Sequence, residues 1–226
     1  YSALRRCQGK VDYAIPHRIT DGYGVNERLV RQAAEDGVDT LLTCDNGIAA
    51  WQEIALAKEL GLTVIITDHH EVPYQETGDG ERAYRVPPAD AVVNPKQPDC
   101  PYPFKGLCGA AVAFKLVQAL YEELGLPQEE ALAYLENAAF ATIGDVMDLQ
   151  GENRSLVKEG LKALNRTQNY GIRALALRNQ IALGEIKAYH VGFVLGPCLN
   201  ASGRLDTAKR ALALLLAEDA CTAAAY

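Results

Sequence analysis

The sequence predicts an α/β fold: a doubly wound, mainly parallel sheet followed by a mostly helical segment. Three observations carry that expectation. The first half alternates short β-branched runs with amphipathic helical stretches. The crossovers between these runs are long enough for a helix, which makes the strands parallel and the winding right-handed. Polar, chemistry-bearing residues stand immediately after two of the runs, where open parallel sheets place their ligands.

Taken in order, Val11 to Ile15 reads as a strand stopped by Pro16. A glycine-marked loop, Asp21-Gly22-Tyr23-Gly24, leads to a helix from Asn26 to Asp36. A strand at 38–43 ends in Cys44-Asp45-Asn46-Gly47. A helix over 49–60 follows, closed by Gly61. The run Leu62 to Thr67 is a buried strand that delivers Asp68-His69-His70. Residues 73–103 form a long loop with one short strand at 91–94, a length that usually marks a functional segment. Helices are expected at 108–124, 128–139, 152–165 and from 207. A strand at 140–143 precedes Gly144-Asp145, and a Gly/Pro/Asn/Ser loop occupies 196–203. The expected division is one α/β domain over 1–185, then a connector and the start of a second domain over 186–226.

At 226 residues, 49% apolar and 23% charged, the composition is that of an ordinary soluble globular protein. A net charge of −7 argues against a protein that coats nucleic acid, but not against an enzyme reading phosphates through a local basic groove. Six scattered cysteines without a Cys-x-x-Cys pair, and no secretory signal, favour reduced thiols in a cytosolic protein. The longest apolar stretches are too short to span a bilayer, so no membrane partner is expected.

Asp45 and the Asp68 cluster follow parallel strands and so emerge at one sheet edge; with a strand at 140–143, Asp145 joins them. Asp45, His69 and Asp145 then fall within reach of one ion, and this mixture of carboxylate and imidazole suits Mn²⁺ or Mg²⁺. One histidine can ligate while the other faces substrate, and Asp68 can orient a histidine from behind. Competing structural readings remain open, since an aspartate after a strand also caps the next helix. Cys44 is expected to be a small buried residue, and His17 and His190 surface or satisfied core histidines. In the segment 196–205, Asn200, Ser202 and Arg204 offer donors for phosphate oxygens, against the alternative of an interdomain turn. Arg154, Lys158 and Lys162 form a basic stripe, which usually means a solvated face.

Thr67-Asp68-His69-His70-Glu71-Val72-Pro73 resembles the signature of the DHH phosphoesterase superfamily. Cys44-Asp45-Asn46-Gly47-Ile48 resembles its upstream aspartate motif, and Ile143-Gly144-Asp145-Val146-Met147 its downstream one. Within it, Ile15-Pro16-His17-Arg18 with Asp21-Gly22-Tyr23-Gly24, Glu152 to Val157 and above all Leu199-Asn200-Ala201-Ser202-Gly203-Arg204-Leu205 resemble the RecJ family of single-stranded-DNA-specific exonucleases. The resemblance implies that Asp45 bridges two Mn²⁺ ions and that His69 and Asp145 complete the coordination of one of them. It implies that His70 meets the scissile phosphate and that Asn200, Ser202 and Arg204 line the phosphate groove. It also implies 5′-to-3′ hydrolysis of single-stranded DNA in repair and recombination, in a bacterial cytoplasm, with other repair proteins as further partners. His17 and Asp148 depart from the family's usual Asn and Pro. The family's first Asp-x-Asp motif and its C-terminal domain lie outside Tyr1 to Tyr226, so an internal fragment with a partial metal site and little activity is expected. The rival expectations are a phosphodiesterase of short oligonucleotides or cyclic dinucleotides, and a non-catalytic nucleic-acid-binding scaffold.

Overall fold

The computed structural model describes residues 1–16, 22, 24–78, 80–205 and 208–226, the side chains of 202–205 excepted. The chain divides into a sheet unit, 19–116, and a helical unit, 1–18 with 117–226. His17 and two residues of the glycine-marked loop, Asp21 and Tyr23, lie outside the described residues.

The sheet unit follows from its sequence. Helix α2, Glu27–Glu35, begins where the Asn26 side chain accepts a hydrogen bond from the Leu29 amide at 3.0 Å, an N-cap of the usual chemistry. Strand β1, Thr40–Cys44, helix α3, Trp51–Glu59, and strand β2, Thr63–Thr67, complete a β-α-β crossover. The central β2 pairs in parallel with β1 on one side and with β5, Ala91–Val93, on the other. The pleat sends Val64 and Ile66 to one face, where they pack with Val30, Ile54, Ala57 and Leu62 in a closed core. Each Val, Ile or Leu side chain in it contributes about 1.5–3 kcal/mol by leaving water. A parallel sheet flanked by helices is thus what the α/β expectation described.

The long loop holds more order than expected. Strands β3, Tyr74–Glu76, and β4, Arg82–Tyr84, form an antiparallel hairpin inside it. Helix α4, Gly109–Glu123, follows.

The helical unit contains α1, Ser2–Arg6; α5, Gln128–Leu132; α6, Leu135–Gly144; α7, Gly151–Leu164; and α8, Tyr170–Arg178. Next come α9, Ala188–His190, a π-helical stretch, Val191–Leu195, and α10, Gly196–Leu205, in one continuous run. Helices α11, Ala208–Leu215, and α12, Ala220–Ala225, end the chain. Its core is Leu164, Ile172, Ala176, Ile186, Val191 and Leu195.

Three expectations are corrected here. Residues 11–15 form no strand; they group with the helical unit, where no described strand can pair with them. Residues 140–143 lie in α6, not in a strand. The Thr142 hydroxyl donates to the Ala138 carbonyl at 2.7 Å, a helical i−4 contact, and burial of Ala138, Ala139 and Thr142 explains why the run is apolar. Residues 196–203 are helical. The Gly196 amide donates to the Val191 carbonyl, five residues back, and this widened turn lets the helix accommodate Pro197. No helix among the described residues is long and apolar enough to cross a membrane.

Candidate metal centre

The ends of β1 and β2 build the site. Their register pairs Cys44 with Thr67, and the Asp45 amide continues the ladder by donating to the Thr67 carbonyl at 2.9 Å. The Asp68 amide does the same to Val93 of β5 at 3.1 Å. Asp45 and Asp68 therefore leave adjacent strands at one level. Asp45 adopts φ +64°, a conformation aspartate tolerates better than most residues, and Gly47 follows at φ +109°. A side chain on Gly47 would run into Thr43 and Ile66, so the turn needs glycine twice over, for conformation and for space.

Asp68 is the anchor. Its carboxylate is 1% exposed and accepts from the amides of Ile48, His69 and His70 at 3.0, 2.7 and 3.2 Å. It also meets His70 Nδ1 at 2.6 Å. Burial pushes the carboxyl up, but the bonds from Ile48, His70 and His69 outweigh it and hold the group below the ordinary carboxylate range. A carboxylate only accepts, so Nδ1 of His70 carries the proton and Nε2 is left open, with the ring half in solvent. The Asn94 side chain, itself buried, donates to the His70 carbonyl at 2.9 Å and fixes the exit of the loop.

His69 is buried, and its Nε2 lies 3.0 Å from Asp45 Oδ1. The rings of His69 and His70 are 4.5 Å apart at 52°. Asp45, His69 and His70 each offer a ligand atom, and all three atoms lie within 4.8 Å of one another. One carboxylate and two imidazoles in that space fit a hard to borderline divalent ion such as Mn²⁺.

Asp145 sits elsewhere in the chain, at the C-terminal cap of α6 in the helical unit, its amide donating to Ala141 at 2.8 Å. The sheet-edge argument does not apply to it, because a helix and not a strand delivers it. Asn200 is exposed on α10; the side chains of Ser202 and Arg204 lie outside the described residues. Arg154 and Lys158 are exposed on α7, and Lys162 pairs with Glu159 at 2.8 Å, as on a solvated face. Cys44 is exposed rather than buried. His190 accepts from the Lys187 amide at 3.1 Å and touches Tyr189 edge-on.

Sequence reasoning missed Gly109. A Cβ there would overlap the Asp45 carboxylate, so the first turn of α4 abuts that group and brings the positive end of a helix dipole beside it. A glycine as the first residue of a helix, where almost any other residue but proline forms helix better, was the available signal. Gly109→Ala is expected to displace Asp45, lowering Mn²⁺ affinity and activity by roughly ten- to a hundred-fold, at an overpacking cost of about 1–3 kcal/mol. Isothermal titration with Mn²⁺ beside a denaturation curve checks both; unchanged metal affinity would contradict the contact.

Comparison with known proteins identifies the family to which the chain belongs. The family described as "DHH family, N-terminal domain" matches residues 1–142. The single-stranded-DNA-specific exonuclease RecJ of Bacillus subtilis is 45% identical over 216 residues, covering 96% of this chain and 25% of that protein. RecJ of Thermus thermophilus is 41% identical over 213 residues, covering 93% and 29%. A crystal structure of exonuclease RecJ bound to manganese superposes with a TM-score of 0.84 at 39% identity, covering 99% of this chain and 53% of that one. The T. thermophilus enzyme in complex with Mn²⁺ gives 0.79 at 37% identity, covering 99% and 30%. The chain thus spans about a quarter to two fifths of the length of the curated RecJ relatives it matches. On the family match and the paired aspartate and Asp-His-His motifs, the chain belongs to the DHH family, with RecJ exonucleases among its homologues.

Proposed function

We propose that this chain forms the catalytic core of a metal-dependent exonuclease that degrades single-stranded DNA from its 5′ end. The convergence of Asp45, His69 and His70, with Asp68 behind them, carries this reading. The names of the RecJ relatives supply single-stranded DNA as the substrate to test; the 5′ end follows from the motif resemblance alone.

Asp45 and His69 would hold Mn²⁺, with Mg²⁺ as the alternative; Asp145 is assigned to metal only on the resemblance of its motif. A bound ion of this class polarises a phosphoryl oxygen and makes water a stronger nucleophile. The chain's own residues do the positioning. Asp68 holds Nδ1 of His70, which leaves Nε2 as the ring atom for the substrate; carrying a proton as well, it would donate to a phosphate oxygen. Asn200, Ser202 and Arg204 are assigned to phosphate oxygens on the donor chemistry of their side chains. Repair and recombination in a bacterial cytoplasm is the setting that goes with this activity.

The full-length protein is expected to release mononucleotides from 5′-phosphorylated single-stranded DNA in Mn²⁺ and to stop when the ion is chelated. A panel of lengths separates the readings. Turnover confined to di- and trinucleotides would replace this proposal with a short-oligonucleotide phosphodiesterase. Binding with no hydrolysis would replace it with a scaffold.

A further inference from the structure

We propose that the β3–β4 hairpin is a base-stacking flap for single-stranded DNA, with Tyr74, Arg82 and Tyr84 as its contact residues. The proposal rests on the nuclease reading above and names a binding surface for it.

The hairpin grows directly out of the metal centre. Tyr74 follows His70 by four residues, which limits their separation to roughly 14 Å. Tyr74 and Tyr84 are cross-strand partners with ring centroids 5.8 Å apart. In register Arg82 faces Glu76, yet its guanidinium lies 4.3 Å from the Tyr74 ring centroid, toward the root of the hairpin. The result is a Tyr-Arg-Tyr surface on one face of the ribbon. The alternation of the ladder turns Arg85 the other way, where its guanidinium lies 4.7 Å from the Trp51 ring. Trp51 opens α3, six residues after Asp45. The hairpin is therefore tied at its root to both loops of the metal centre, and its opposite face is exposed among the described residues.

Every residue of both strands is exposed, Tyr74 and Tyr84 at 42% each. An isolated two-stranded hairpin is at best marginally stable; the tyrosine pair and the cation–π contact steady it, yet they leave much of both rings in water. Single-stranded nucleic acid supplies what such a face lacks. Every base has a π-face that stacks on tyrosine whatever the sequence, and arginine adds both a cation–π contact and a phosphate donor. Charge selects the path as well. Glu76 and Glu81 place acidic groups toward the turn, whereas Arg82 leans back to the root and Arg85 sits there. In a chain of net charge −7, a strand is drawn along the root toward His70 and kept off the tip.

The test uses the full-length protein and two 5′-phosphorylated, fluorescein-labelled probes of equal length, oligothymidine and its abasic analogue, with binding read by anisotropy. Tyr74→Ala with Tyr84→Ala is expected to weaken oligothymidine binding by roughly five- to a hundred-fold and to move abasic binding far less. Tyr74→Phe with Tyr84→Phe keeps the stacking faces and most of the affinity. Arg82→Gln weakens both probes and reduces the salt dependence by about one charge. An alanine pair that binds oligothymidine like the parent, or that loses both probes equally, overturns the flap. A parent protein that shows the base-dependent difference yet releases no nucleotide would instead overturn the nuclease reading and leave the flap standing.

Discussion

Asp45→Asn in the full-length protein is expected to lower Mn²⁺-dependent hydrolysis of single-stranded DNA by at least about a thousand-fold. That corresponds to roughly 4 kcal/mol of lost transition-state stabilisation, the scale of a metal's contribution. Fold stability should change by less than about 1 kcal/mol, because the Asp45 side chain is 52% exposed and belongs to no core cluster. Asparagine is the informative replacement. It tolerates φ +64° as aspartate does, where alanine would add backbone strain. Its amide oxygen also still accepts from His69 Nε2, which now lies 3.0 Å from the carboxylate. What disappears is the negative charge that holds a divalent ion. Single-turnover hydrolysis and Mn²⁺ titration on the same preparation separate lost metal from lost fold. Near-parental rates in this variant would remove Asp45 from the centre.

The part of the molecule that holds Asp45 was legible from sequence because local and global signals agree there. The strands are short β-branched runs, the caps are Asn26 and Gly61, and a parallel topology then forces both motif loops to one edge. Helix α2 came within one residue at each end. Where the reading failed, local chemistry pointed away from the tertiary answer. Phe140 to Ile143 looks like a strand because a helix buried on several sides loses its 3.6-residue polarity pattern. Gly196 to Gly203 looks like a loop because glycine and proline ordinarily break helices, and no sequence rule signals the π-helical stretch that absorbs Pro197. The β3–β4 hairpin hid within a stretch rich in turn residues, its strands three residues long and both faces in water, so no alternation of burial marks it. Gly109 carries no chemistry of its own; its role is the space it leaves for Asp45.

Asp68→Ala is expected to be the most destabilising substitution at the site, costing about 3–5 kcal/mol, at the upper end of single-residue effects. The carboxylate is 1% exposed and is the shared acceptor for three backbone amides and one imidazole, so its removal strands buried donors on both motif loops at once. Each unsatisfied donor costs about 1–3 kcal/mol, and water entering the small cavity returns part of that. Asp68→Asn keeps the volume but replaces one acceptor oxygen with an amide that confronts donors, so it should recover little. The acid dependence follows from the depressed carboxyl. Held below its unfolded value, it contributes fully above about pH 4, and the contribution is lost as pH falls through the folded value. The alanine variant should therefore show a flatter stability curve at the acid end than the parent. A second consequence separates Asp68 from an ordinary core residue. Without an acceptor at Nδ1, His70 no longer keeps a single tautomer, and activity should fall ten- to a hundred-fold, roughly, even at temperatures where the variant remains folded. Urea unfolding from pH 3 to pH 7, together with rates measured well below the transition, tests both halves. A loss under 1 kcal/mol, or parental rates in the folded variant, would show that the histidine cluster stands without its buried carboxylate.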